Sequence, residues 1–216
     1  MRYDAVLYDL DGTLIDTVPS ILKAFQRTFS EVLGEPGDEE YILSTIGRPL
    51  SEAFYPFEKS VQSELFEKCK VYSDEYLRTM AVVFPGITED LRQLQEKGVR
   101  QGIVTSKRKA AADFSISHFG LENIFETVVV KEDTKKYKPF PEPIFEGMKR
   151  LGIKDPSRIL YVGDSIHDVK CAHHAGVDCA VVDWTYMPKE EMRRENPRYW
   201  IKRIGEISCI LSGGEL

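Results

Sequence analysis

The sequence predicts an α/β fold, a doubly wound (Rossmann-like) parallel sheet with an inserted α-helical cap, and three observations predict it. Short apolar, β-branched runs at 5–10, 102–105, 127–130, 159–163 and 179–183 end abruptly at Gly, Asp, Ser or Thr, the pattern of strands covered on both faces. Helical patterns at 88–97, 107–119, 143–151 and 165–175 alternate with them, each closed by a glycine (Gly98, Gly120, Gly152, Gly176), and strand–helix alternation implies parallel crossovers. Residues 16–80 break the rhythm. They are helical by pattern and far longer than one crossover requires.

The first strand runs into Asp9 and Asp11, which strand alternation sends to one side while Leu10 points to the other. Gly12 lets the chain turn sharply with its backbone close to a ligand, at the sheet edge where open α/β folds bind them. The helical segment 16–80 then reads as a cap on a core formed by 1–15 and 81–216. Its hinges are expected after Leu14 and at 82–86, where Pro85 and Gly86 punctuate the return. Within the cap, Gly47-Arg48-Pro49-Leu50 interrupts the helical pattern. The second core strand ends in Thr105 and Ser106 before a helix, whose free N–H groups suit a phosphate. Lys138 follows in KPFPEP, where prolines restrict the backbone. A later strand delivers Asp164 and Asp168 to the same edge, four residues apart and so within one helical turn. Four carboxylates gathered there repel one another unless a cation joins them, and oxygen ligands without His or Cys favour magnesium over zinc.

Bulk properties exclude several classes. Among 216 residues, 42% are hydrophobic and 30% charged, enough for one core and a small appended domain. The net charge of −6 is interspersed rather than blocked, which argues against nucleic acid or an anionic membrane as partner. No stretch approaches the ~20 apolar residues of a membrane span. The four cysteines form no CxxC pair, suit a reducing, cytoplasmic setting, and each reads as a small core residue. His167, His173 and His174 beside the acidic motif read as surface or packing residues, because adjacent helix positions diverge. Trp184 and Tyr186 follow the last strand near the expected site mouth, where aromatics commonly pack a tail onto the sheet.

Four motifs in order carry a resemblance over essentially the whole chain: DLDGT at 9–13, the strand ending at Thr105, Lys138 in KPFPEP, and GDSIHD at 163–168. Each alone is weak, since a lone DxDG also makes an Asx turn or a calcium loop and a lone lysine is usually solvated; together they are specific. On them the chain resembles the haloacid dehalogenase superfamily, in its phosphoglycolate phosphatase-like branch. That resemblance implies a magnesium-dependent phosphatase with Asp9 as nucleophile, Asp11 as general acid and base, and Thr105 and Lys138 holding the phosphate. It implies metal ligation by Asp9, Asp164 and the main-chain carbonyl of Asp11, with Asp168 in support. Gly12, Arg48 and Ser106 are the expected substrate contacts. Arg48, in what resembles the family's specificity loop, suits a carboxylate or second phosphate, and a surface arginine at a helical corner fits the same sequence equally well. The expected partner is a small phosphorylated metabolite such as 2-phosphoglycolate, acted on by a monomer or homodimer; inorganic pyrophosphate hydrolysis and a β-phosphoglucomutase-like transfer are the alternatives.

Overall fold

The run Ala-Val-Leu-Tyr has no polar alternation, and strand β1 (Ala5–Tyr8) is accordingly buried at all four positions. In this computed structural model, which describes residues 2–214, Val6 and Tyr8 enter one apolar cluster and Ala5 and Leu7 another, on opposite faces of the sheet. Residue 1 and residues 215–216 of the expected core segment lie outside the described residues. From β1 the chain passes through β2 (Ile15–Asp16) into α1 (Val18–Leu33), α2 (Glu39–Thr45) and α3 (Lys59–Thr79). A short 3-10 turn, Leu50–Phe54, separates the last two helices and follows the predicted break at Gly47–Leu50. The chain returns through β3 (Val82–Val83), which pairs antiparallel with β2, so the two connections of the helical segment are laced together at its root. The segment has its own apolar cluster, built on Phe25, Phe29, Phe54 and Leu65.

Helix and strand then alternate: α4 (Ile87–Glu96), β4 (Arg100–Val104), α5 (Lys109–His118), β5 (Thr127–Val129), α6 (Glu142–Arg150), β6 (Ile159–Gly163), α7 (Ile166–Ala175), β7 (Asp178–Val182), α8 (Lys189–Arg194), β8 (Tyr199–Ile201) and α9 (Ile207–Leu211). The six-stranded sheet has the order β5-β4-β1-β6-β7-β8 and every pair is parallel. Ile87, Leu91 and Leu94 of α4 with Ile207 and Ile210 of α9 cover one face; Ile144 of α6, Val169 and Ala172 of α7 and Met192 of α8 cover the other. Because β4 and β5 lie on one side of β1 and β6 to β8 on the other, crossovers diverge at β1, and the carboxyl end of that strand is where such sheets open a crevice.

The predicted doubly wound sheet is present, with corrections. The first strand stops at Tyr8 rather than residue 10, leaving Asp9 and Asp11 in the turn beyond it. Helix α5 begins at Lys109, two residues later than expected, so Ser106 and Lys107 precede it. Strand β8 was not foreseen: three residues in a polar tail carry too short a pattern to read as a strand until β7 offers an edge. Cys69, Cys171 and Cys179 are buried, but Cys209 is exposed on the short terminal helix. No helix among the described residues is long and apolar enough to cross a membrane.

Candidate active site

The turn after β1 sets the site's geometry. Gly12 takes a φ of 79°, and a Cβ there would stand 2.2 Å from Asp164 Oδ2, so only glycine brings the two strand ends this close. Thr13 Oγ1 then donates to Asp164 Oδ1 at 3.0 Å, Thr185 Oγ1 donates to the Asp164 carbonyl at 2.5 Å, and Trp184 Nε1 donates to the Thr13 carbonyl at 3.2 Å. Trp184 thus braces the turn, packs on Phe84, and joins the apolar cluster that includes Ile201, Ile204 and Ile207 of the tail. Tyr186 hydrogen-bonds the Asp16 carboxylate with its hydroxyl at 3.2 Å.

Behind the turn, Lys138 Nζ is buried and carries three partners: Asp9 Oδ1 at 2.7 Å, Asp168 Oδ1 at 2.6 Å and the Tyr161 hydroxyl at 3.0 Å. Asp168 is saturated, because Tyr161 also donates to Oδ1 and the Ser165 N–H and hydroxyl both donate to Oδ2. Ser165 in turn caps α7 by accepting from the Asp168 N–H, a reciprocal capping box that fixes the acid at the first turn. Carboxylate oxygens of Asp9, Asp164 and Asp168 all lie within 4.8 Å of one another.

Charge in this cluster is unevenly satisfied. Burial raises Asp164 well above the usual carboxylate range, with the Asp168 and Asp9 charges adding to the effect. Burial also pushes Asp9 up to about 7 against the pull of Lys138. For Asp168 burial acts in the same upward direction, but Lys138 and its hydrogen bonds outweigh it and hold the acid below its ordinary value. Burial alone lowers Lys138, yet Asp168 and Asp9 overcome it and raise the ammonium above the normal lysine range. Two buried carboxylate oxygens, Asp9 Oδ1 and Asp164 Oδ2, receive no aligned hydrogen bond, the former having only its ion contact with Lys138. Uncompensated buried anionic oxygens are costly, and an all-oxygen pair of this kind fits a hard divalent cation. Asp9 and Asp164 are the acids with that capacity; Asp168 has none to spare.

The expected four-acid gathering is therefore corrected to three, because the Asp11 carboxylate turns away to Lys107 Nζ, at 2.7 and 3.0 Å. Asp9, Asp11, Thr105 and Ser106 do share one open cavity of about 780 Å³, its mouth included, with Arg48, Lys107 and Arg108 around it and Ile21, Phe25, Leu50, Ala53 and Leu77 on the helical side. Arg48 is not free to the cavity, since its guanidinium grips Glu52 Oε2 at 2.8 and 3.1 Å. Ser106 Oγ donates to the Gly47 carbonyl at 2.8 Å and Arg108 bridges to Asp74 at 2.8 Å, so both tie the core to the helical segment. Gly47 permits the first tie: a Cβ there would meet Ser165 Oγ at 2.7 Å. His167 faces the same seam, its Nε2 3.4 Å from the Ser44 carbonyl, and burial lowers its pKa. Sequence reasoning missed Lys107 and Tyr161. Their signals were a cation two residues beyond Thr105 and a hydroxyl inside an otherwise apolar strand.

Comparisons with known proteins identify the family and the fold. Residues 6–182 match the model of the haloacid dehalogenase-like hydrolases. Pyrophosphatase PpaX of Bacillus velezensis is 32% identical over 209 residues, covering 97% of this chain and 96% of the relative. A protein of Caldanaerobacter subterraneus subsp. tengcongensis, likewise designated PpaX, is 34% identical over 214 residues, covering 99% of this chain and 96% of that one. A crystal structure of a predicted phosphoglycolate phosphatase from Haemophilus somnus shares the fold with a TM-score of 0.86 over 98% of this chain and 99% of that chain, at 21% identity. The chain belongs to the haloacid dehalogenase-like hydrolase family.

Proposed function

We propose that this hydrolase removes phosphate from a small phosphorylated metabolite, with magnesium as cofactor and Asp9 as the nucleophile. The single observation that carries this reading is Asp9 itself, a buried carboxylate clamped by Lys138, beside the buried Asp164, and exposed to substrate only through the cavity it shares with Asp11. Asp9, Asp164 and the main-chain carbonyl of Asp11 would hold the ion. When bound, magnesium neutralises charge on the transferring phosphoryl group.

The chain's own residues supply the remaining work. An Asp9 oxygen attacks phosphorus as the bond to the leaving oxygen breaks, and Asp11 gives that oxygen its proton. Asp11 then takes a proton from water as the water attacks the aspartyl-phosphate, releasing phosphate and restoring the Asp9 carboxylate. Lys138 orients Asp9 and offsets its charge, while Thr105 and Gly12 border the phosphate position and Asp168 anchors Lys138 from behind. Residues 16–80 act as the cap that shields these steps from bulk water and meets the leaving group.

A phosphate monoester of the 2-phosphoglycolate kind is the first reading for substrate, supported by apolar walls that suit a carbon-bearing leaving group. Inorganic pyrophosphate is the second, supported by the designation of the relatives above 30% identity. Phosphate release from both compounds, with magnesium and with EDTA, tests the proposal. Turnover of one of them that requires magnesium and disappears in Asp9→Asn is expected; metal-independent turnover, or full activity in that variant, overturns it.

A further inference from the structure

We propose that Lys107 is a positioning residue that holds Asp11 for proton transfer, an inference resting on the reading of Asp11 given above. Three observations support it. Lys107 Nζ contacts both oxygens of Asp11, and among the described residues no other donor reaches that carboxylate. Both side chains are largely enclosed, with 12% and 16% of their surfaces exposed, and both line the cavity above Asp9. The lysine backbone is pinned on both sides, its N–H donating to Thr105 Oγ1 at 3.2 Å and its carbonyl accepting from the Lys131 N–H at 3.0 Å. A mobile side chain thereby starts from a fixed point at the end of β4.

Charge accounting explains why such a residue is required. Lys138 Nζ is surrounded by Asp9, Asp168 and Tyr161, and Asp11 is not among its partners. Asp11 stands two residues from one buried acid, in a turn that touches a second. Without a cation of its own, its carboxylate has two poor choices: to swing out toward solvent, or to join Asp9 and Asp164 as a further ligand for a divalent ion. Either removes it from the leaving oxygen. Lys107 draws it to the cavity side, where a substrate lies between Asp11 and the cap. Misplacement of a reacting group by about 1 Å costs on the order of 10²-fold in rate, which sets the scale of the expected effect.

The test uses the full-length enzyme with magnesium, whichever of 2-phosphoglycolate and pyrophosphate it turns over, and p-nitrophenyl phosphate, whose leaving group needs no proton. Lys107→Met and Lys107→Gln are expected to lower kcat about 10²-fold on the first substrate with KM changed by less than about 3-fold, and Lys107→Arg to restore most of the loss. With p-nitrophenyl phosphate the initial burst of nitrophenolate should survive in Lys107→Met while later turnover slows, because only the attack of water still needs Asp11. Adding Lys107→Met to Asp11→Asn should cost nothing further, since the lysine acts through the acid. A rise in KM at unchanged kcat would reassign Lys107 to substrate binding and overturn the proposal. So would a multiplicative loss in the double variant, or wild-type rates in both neutral variants. Failure of the wild-type enzyme on every phosphate compound would instead sink the underlying assignment of function.

Discussion

At the level of single residues, the arrangement turns on Lys138 being enclosed with two acids of unequal fate. Replacing it by methionine preserves volume but leaves Asp9 and Asp168 buried without a counter-charge, and removal of one partner from a buried pair costs about 3–5 kcal/mol. Urea unfolding of Lys138→Met should show that loss, and Lys138→Met with Asp168→Asn should recover part of it. Asp9 gives a pH signature in the metal-free protein. Its folded pKa, raised by burial from 3.8 to about 7, means the folded state binds a proton that the unfolded chain has lost between those values. The contribution to stability is present below about pH 4 and disappears as pH climbs through 7, so this acid makes the metal-free protein less stable at pH 8 than at pH 5.5, a difference that Asp9→Asn should lack. Magnesium, competing with that proton, should raise the melting temperature more at pH 8 than at pH 5.5. Asp9, Asp11, Thr105 and Asp164 were legible in the sequence because each stands just past a strand end, and Lys138 and Asp168 because the motifs KPFPEP and GDSIHD contain them. Lys107 and the true partners of Lys138 were not legible. The reach of a lysine side chain, and the choice of carboxylate it makes, follow from the three-dimensional turn that Gly12 allows.

At the level of elements, the core strands and helices marked by apolar runs and terminal glycines could be read to within about two residues, whereas β2, β3, α8 and α9 carry no such mark and exact ends follow from hydrogen bonds that no composition displays. Helix α7 is the clearest case. The sequence places Ser165 and Asp168 three apart, the structure makes them a capping box, and the same Asp168 anchors Lys138. Helix stability and the site's charge balance are thus joined through one serine. Ser165→Ala should cost about 0.5–2 kcal/mol from the lost cap. It also strips the hydroxyl from Asp168 Oδ2, leaving only the backbone N–H as donor there. Thermal unfolding measures the first effect. The second should appear as a lower kcat in a variant that remains folded, and a Ser165→Thr variant, which keeps the hydroxyl, should stay close to wild type in both. Strand β8 lay beyond sequence reading for a related reason: its three residues become a strand through pairing with β7, a long-range partner that local pattern does not encode.

At the level of the whole molecule, apolar side chains among the described residues fall into three clusters, two flanking the sheet and a third within the helical segment. That third cluster is aromatic, with Phe25, Phe29 and Phe54 in mutual ring contact at centroid separations of 5.4 to 6.3 Å, and it meets one of the sheet's clusters through Ile21 and Leu22, which pack against both. The segment is joined to the rest covalently through β2 and β3, by polar ties such as Arg108 to Asp74 and Ser106 to Gly47, and by an apolar contact in which Val18 and Ile46 are buried in one of the sheet's clusters. Polar ties exchange readily with water, and the apolar part of the joint is confined to the start of α1 and the end of α2, so the joint is where opening disrupts the least packing. This argues for residues 16–80 moving as one unit over the cavity. Hydrogen exchange should then find amides of α1 and α3 opening at lower free energy than those of β1, β4 and β6. Phe29→Ala, which removes a ring central to the helical cluster at a cost of about 3–5 kcal/mol, should collapse protection across α1 and α3 while leaving the central strands protected. Equal loss of protection in both regions would mean that the molecule unfolds as one cooperative body and that the helices do not move as an independent cap.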